Sequence, residues 1–185
     1  MYEMRSWSEH IDLKEFYDKA KSKGYLNNSN QKMLVNCFDN EREKSVWILF
    51  YNDKPVGSVA AHSLDIMGDN NYRICARTCV FTDLLPFHQL RSLKFTCQYH
   101  QNITGQFFIP TCIEWAPAGA DLYITSNDSE TGSQKLVHNI YCPALAEIGT
   151  LKFEGNRSYR GLKQSFWKLN VEKFYEDLNR YPRWK

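Results

Sequence analysis

The sequence predicts an α/β (α+β) protein with one mixed, mostly antiparallel central sheet and helices on both faces. Three observations predict it. The front half holds β-rich runs at hairpin spacing, Val46–Tyr51 and Val56–His62, around the turn chemistry of Asn52–Pro55. The back half reads helix, strand, helix, strand, strand from Gly105 to Asn170, so a β-α-β unit joins the hairpins into a mixed sheet. The chain has 185 residues, 43% of them hydrophobic and 15% aromatic, enough for one domain (1–185) with a sizeable core.

Each element has its own signal. "YEMRSW" is a short strand. Asp12 with Glu15 three residues on is a helix start, and Leu13, Phe16, Tyr17 and Ala20 then fall on one face until Gly24 ends the helix. "NSNQKMLVNCFDN" reads as a second, weaker helix. The hairpin follows, then a turn at "MGDNN". "YRICARTCVF" is a third strand whose alternation sets Ile74, Ala76, Thr78 and Val80 against Cys75, Arg77, Cys79 and Phe81. Residues 82–101 read as a loop with a short helix near His88–Gln98. After the β-α-β unit, Val171, Phe174, Tyr175 and Leu178 form the stripe of an added C-terminal helix, about 171–180.

Composition bounds the function classes. A formal net charge of +2 with interspersed charges gives no nucleic-acid or membrane signal. "NRSYRGLK" mixes Arg, Lys and Tyr, but reads as a solvated hairpin rather than a nucleic-acid contact. None of the six cysteines (Cys37, Cys75, Cys79, Cys97, Cys112 and Cys142) forms a C-x-x-C. Cys75 and Cys79, an even number of residues apart on a strand, are expected on one side as small core residues, with no metal. The N-terminus lacks an apolar leader core, and no run reaches transmembrane length, so the expected localisation is cytoplasmic.

The runs "GQFFIPTCIEWA", "DLYITSN", "GSQKLVHNIYCPALAEIG", "TLKFEGN" and "LKQSFWKLN" resemble the acyl-CoA-binding half of the GCN5-related N-acetyltransferase (GNAT) family. The element order resembles that family over most of the chain, and the motifs do so from about Ile113 to Leu169. The resemblance implies acetyl-CoA as co-substrate, held by two devices. A central strand parts from its neighbour and offers backbone to the pantetheine arm; here that is Tyr72–Phe81, with Cys79, Val80 and Phe81 facing the arm. A loop of pattern Q/R-x-x-G-x-G/A leads into a helix whose N-terminal amides and dipole attract the pyrophosphate, and glycine there lets the phosphates approach.

Two registers match that loop. His100-Gln101-Asn102-Ile103-Thr104-Gly105 keeps the last small residue and runs directly into the helix. Gln89-Leu90-Arg91-Ser92-Leu93-Lys94 keeps the Gln but neither Gly. The first register makes Gln101, Thr104, Gly105 and Gln106 cofactor-binding. Pro110 within its helix removes a backbone bond, so a kink, or a helix starting only at Thr111, is expected. Asn127 matches the family Asn that contacts the cofactor arm; without a ligand it would cap the following helix.

Transfer needs a base for the amine and an acid for the departing thiolate. The family acid is a Tyr four residues before a Gly-Phe pair. Here the pair reads Gly149-Thr150, the position four before is Leu145, and Tyr141 lies one turn earlier on the same helix face. His138 is the other titratable group on that helix. Arg77 stands where some members place a catalytic Glu, and no Arg acts as a base at neutral pH.

The expected function is therefore acyl-CoA-dependent N-acyltransfer, most simply acetyl transfer to an amine by direct attack. The alternative is a GNAT-shaped binding module that has lost the chemistry. Partners are a small-molecule or peptide amine, with no nucleic acid and no membrane, and a possible homodimer. In this family Leu13–Gly24, Asn28–Phe38 and Asn156–Gln164 would build the acceptor pocket. Their mixed charge indicates neither a strongly cationic nor a strongly anionic acceptor.

Overall fold

A computed structural model of the chain describes residues 1–8, 11–22, 41–81, 102–127 and 137–184. Strand β1 (Tyr2–Ser6) and helix α1 (Lys14–Ser22) precede the hairpin β2 (Lys44–Tyr51) and β3 (Lys54–Ser63), then β4 (Asn71–Val80). Helix α2 (Ile109–Trp115), strand β5 (Asp121–Ser126), helix α3 (Cys142–Glu147), strands β6 (Leu151–Tyr159) and β7 (Leu162–Leu169) and helix α4 (Val171–Leu178) complete the order. Among the described residues the strands form one seven-stranded sheet, β1-β2-β3-β4-β5-β7-β6. Of its pairs only β4–β5 is parallel, so the predicted mixed, mostly antiparallel sheet is what forms. The second helix expected at Asn28–Phe38 and the one near His88–Gln98 fall outside the described residues.

Helices cover both faces. On one, Ile103, Phe108, Ile109 and Cys112 from the α2 segment, Cys142 and Leu145 of α3, and Phe174 and Leu178 of α4 pack on Leu49, Ile74, Leu122, Ile124 and Trp167. On the other, Leu13, Phe16 and Tyr17 of α1 pack on Ile48, Phe50, Cys79 and Phe81. Because both faces are covered, Val46–Phe50 is buried at every position rather than at alternate ones. Leu13, Phe16 and Tyr17 of the α1 stripe are buried, and Asp12 Oδ1 accepts the Lys14 amide at 3.1 Å as a start cap. Gly57 lets β3 pass under α2, since a Cβ there would lie 3.2 Å from the Phe108 ring and 2.8 Å from the Cys79 carbonyl.

The turns follow their chemistry. Asn52 and Asp53 both take positive φ (48° and 60°), as a two-residue hairpin turn with the right strand twist requires. Arg160-Gly161 (53° and 74°) makes the equivalent turn between β6 and β7. Asn170 caps α4, its Oδ1 accepting the Lys173 amide at 3.0 Å.

Two expectations need correction. Strict alternation along β4 fails. Cys75 takes a left-handed φ of 54°, and the β3–β4 register shifts between Ser58 and Ala60 and again between Ala60 and His62. Each shift inserts one extra residue in β4, as a bulge does. Ile74 and Cys75 therefore both pack on the α2–α4 side. Ala76 and Cys79 pack on the opposite side. Cys75 and Cys79 do not share a face, nor do Ile74 and Ala76.

The second correction concerns Pro110. The helix does not wait for Thr111. It begins with a wide π turn over Thr104–Phe108, closed by the Ile109 amide on the Thr104 carbonyl, and continues through Pro110. Pro110 brings no N–H. The Gln106 carbonyl that an α-helical N–H at 110 would reach accepts instead from Arg183 Nη2 at 3.1 Å. A second π turn, Val137–Tyr141, leads into α3 ahead of Pro143 in the same way.

Candidate active site

The strands that make the site part company. β4 and β5 pair only at Asn71, Arg73 and the residue between, against Asp121–Tyr123. Beyond that, β4 stays with β3, while Tyr123–Ser126 pairs with β7. A wedge opens toward the C-terminal ends of two parallel strands, the place where open α/β sheets take ligands. The Phe81 amide donates to the Val56 carbonyl at 2.8 Å, and the Cys79 carbonyl lies against Gly57. Backbone groups alternate sides along a strand. Of the predicted backbone positions, Cys79 and Phe81 thus point to β3, and Val80 points into the wedge.

Asn127 stands at the end of β5. Its Oδ1 is buried and has no hydrogen-bond partner among the described residues. A buried amide oxygen left unpaired is costly, so it waits for an N–H. Asn127 also lines a cleft of about 900 Å³ between the π turn of α3 and the β6–β7 hairpin. His138, Asn139 and Pro143 form one wall, and Phe153, Asn156, Leu162, Lys163, Ser165 and Trp167 the other.

The hairpin wall depends on a bulge. Phe153 pairs with Trp167 and Asn156 with Ser165, so β6 spends one more residue than β7 between those pairs. Gly155, at φ 102°, takes up the extra residue. Residues three apart normally face opposite ways; here both face the cleft. The Phe153 and Trp167 rings lie 4.9 Å apart, and the Ser165 hydroxyl donates to Asn156 Oδ1 at 2.7 Å. Lys163, two residues before Ser165 on the same face, is exposed and has no ion-pair partner among the described residues.

A hydrogen-bonded relay sits behind His138. Its Nδ1 lies 3.1 Å from Ser126 Oγ, and Trp167 Nε1 donates to the same oxygen at 3.1 Å. Indole N–H only donates, so Ser126 accepts from Trp167 and keeps its remaining capacity for the imidazole and for the Cys142 thiol beside it. The relay orients the ring. Burial pushes the Cys142 thiol up to about 12, opposed by the Ser126 contact, so it stays a protonated core group.

The structure thus brings Asn127 and His138 into one cleft, next to the wedge that exposes Val80. Tyr141 is half-buried against the core shared by α2 and α3 rather than among the cleft residues, and burial raises its phenol above the ordinary value. At the other loop, Thr104 is half-buried, the Gly105 amide donates to Asn102 Oδ1 at 3.1 Å, and Gln106 is 1% exposed. The Gln106 side chain binds the C-terminal tail, donating to the Pro182 carbonyl and accepting the Trp184 amide. His100 and Gln101 lie outside the described residues. Ser126, Ser165 and Trp167 were not singled out from sequence, and Lys163 only as part of the acceptor stretch Asn156–Gln164. Their role arises from strand pairing across about 40 residues, and the one local cue was Gly155 within a β run.

No family model matches the sequence, and no curated protein does. Solved structures match over nearly the whole chain. The aminoglycoside N-acetyltransferase AAC(6')-Ib11 shares 10% identity at a TM-score of 0.58, covering 94% of this chain and 99% of its own. An aminoglycoside acetyltransferase AAC(6')-Ib, in complex with coenzyme A and kanamycin, shares 11% identity at a TM-score of 0.58, covering 95% and 98%. An acetyltransferase assigned to the GNAT family from Desulfovibrio desulfuricans shares 12% at a TM-score of 0.55, covering 91% and 98%. The fold is the GNAT acetyltransferase fold.

Proposed function

We propose that this chain is an acyl-CoA-dependent N-acyltransferase that moves an acetyl group to a small amine. The observation that carries the reading is the β4–β5 wedge with the partnerless Asn127 Oδ1 at its mouth. An acyl-pantetheine arm carries amide N–H groups, so the wedge offers it strand-like pairing at Val80 and an acceptor at Asn127. Cys79 and Phe81 flank that contact, while Gln101, Thr104 and Gly105 stay assigned to the phosphate end and Gln106 supports their turn. The matched structures bound to coenzyme A and aminoglycosides support an amine acceptor of small size.

Bound acetyl-CoA supplies the thioester: the amine nitrogen bonds to its carbonyl carbon, the C–S bond breaks, one proton leaves nitrogen and one reaches sulfur. The chain's own residues manage those protons. His138 faces the cleft, and imidazole is the side chain suited to exchange protons near neutral pH. Ser126 and Trp167 hold its Nδ1 side, which leaves Nε2 for the ligand. Tyr141 keeps its proton, since burial disfavours the phenolate, and in that form it serves as an acid.

Isothermal titration with acetyl-CoA and with coenzyme A tests the reading. Micromolar binding, weakened roughly tenfold in Asn127→Ala as expected for one lost hydrogen bond to a buried acceptor, supports it. Absence of heat together with absence of a thermal shift at millimolar acetyl-CoA overturns it. With binding established, His138→Ala should lower turnover by about a hundredfold or more while leaving acetyl-CoA affinity within a few-fold.

A further inference from the structure

We infer that the acceptor is an amine that also carries a carboxylate and an apolar side chain, the chemistry of a free apolar amino acid. The inference deepens the acyltransfer reading and rests on it for the reaction, though not for the binding. Its basis is what lines the cleft. Among the described residues, Lys163 is the charged side chain there, exposed and without an ion-pair partner, and no Asp or Glu lines the cleft. Glu154, next to Phe153, turns aside at the bulge to bind Lys152 at 2.8 Å.

A polycationic acceptor needs carboxylates to replace the water around each ammonium. This wall offers a cation, amides and hydroxyls instead. A carboxylate on the ligand gives Lys163 its missing partner. Phe153 and Leu162, 47% and 53% exposed, are large apolar side chains open to the cleft and able to cover an apolar group. Behind them Trp167 closes the floor.

The reaction gains from the same arrangement. Only a neutral amine attacks a thioester. Lys163, by pairing with the ligand carboxylate, weakens that carboxylate's hold on the ligand's own ammonium and so eases loss of the amine proton. The cleft therefore both selects the carboxylate and helps discharge the nucleophile, leaving one proton for His138 to accept.

Two measurements test this separately. Thiol release from acetyl-CoA is followed with L-phenylalanine or L-leucine, with the corresponding amino amide, and with kanamycin. The expected order is amino acid above amide by about tenfold in kcat/KM, with kanamycin lowest. Lys163→Ala and Lys163→Glu should bring the amino acid down to the level of the amide, erasing the preference for the carboxylate. Independently, N-acetyl-L-phenylalanine is titrated into the protein without acetyl-CoA, with Lys163→Ala expected to weaken it about tenfold. Lys163 is exposed, so these variants should fold. Equal use of acid and amide, preference for kanamycin, or ligand binding indifferent to Lys163 overturns the inference. If acetyl-CoA does not bind but the N-acetyl amino acid does, the acyltransfer reading fails and the carboxylate site stands.

Discussion

At the scale of single residues, the histidines have opposite lots. His138 lines an open cleft, whereas His62 is fully buried beneath the other face of the sheet. His62 Nδ1 donates to the Ser63 carbonyl at 2.7 Å. The same nitrogen lies 3.8 Å from Glu41 Oε2, an ion-pair distance, but Glu41 is held by Arg160, and burial with the positive fields of Arg73 and Arg160 outweighs the Ser63 contact and Asp65. The imidazole is driven neutral, its pKa pushed down from 6.5 to about 3. A depressed value in the folded state means that the unfolded chain binds the proton first. Stability from this group is complete above about pH 6.5 and is lost as pH falls toward 3, with a slope of at most about 1.4 kcal/mol per pH unit. Urea unfolding of wild type and His62→Gln across that window should show the wild-type midpoint falling more steeply. Parallel profiles would remove His62 as the cause. Asn127 could be named from the sequence because it matches the family Asn, His138 because it is a titratable group on the helix that follows, and Lys163 only within the acceptor stretch Asn156–Gln164. Their neighbours Ser126 and Trp167 could not, because three-dimensional register alone brings them there.

At the scale of elements, the sequence announced nearly every strand and helix within the described residues but not how two strands bend. Alternation assumes one residue per pleat. Neither Cys75, with its left-handed φ, nor the wide π turns before Pro110 and Pro143 carries a composition signal that separates them from regular structure. Gly155 did carry one, and its consequence is testable. No heavy atom would meet an added Cβ there within 4 Å, so the cost of a side chain is purely the φ of 102°. Gly155→Ala should destabilise the fold by about 1–3 kcal/mol as a strained backbone position. If the chain relaxes by losing the bulge, Phe153 and Asn156 can no longer share the cleft face. Urea titration and N-acetyl amino acid binding should therefore weaken together in this variant. Full stability in Gly155→Ala would show that the bulge does not depend on glycine.

At the scale of the whole molecule, the two chain ends close over the first turn of the helix that the acyl-CoA reading needs. The Tyr2 ring packs at 4.7 Å from Tyr51, 4.9 Å from Phe107 and 6.1 Å from Trp184. The tail then ties to Gln106 three times, through the Pro182 carbonyl at 3.3 Å, the Trp184 amide at 3.2 Å and the Arg183 guanidinium on the Gln106 carbonyl. That last bond fills the vacancy that Pro110 creates, so the proline and the tail are one device, joined at Gln106 across 77 residues of chain. Removing residues 182–185 takes away two hydrogen bonds from a side chain that is 1% exposed and should cost about 2 kcal/mol, since breaking hydrogen bonds at a buried polar group costs about 1–3 kcal/mol. Gln106→Leu offers the control, because it removes the amide whose partners the tail supplies. If the tail acts through Gln106, truncation in the Leu background should cost clearly less than in wild type, a coupling read from a double-mutant cycle. Equal costs in both backgrounds would assign the tail's contribution to Trp184 packing on Tyr2 and Phe107 instead. The functional counterpart is that a loosened π turn should weaken acetyl-CoA while leaving the carboxylate cleft, on the far side of β5, unaffected. Loss of both affinities at once would mean that the tail supports the whole sheet rather than the helix start.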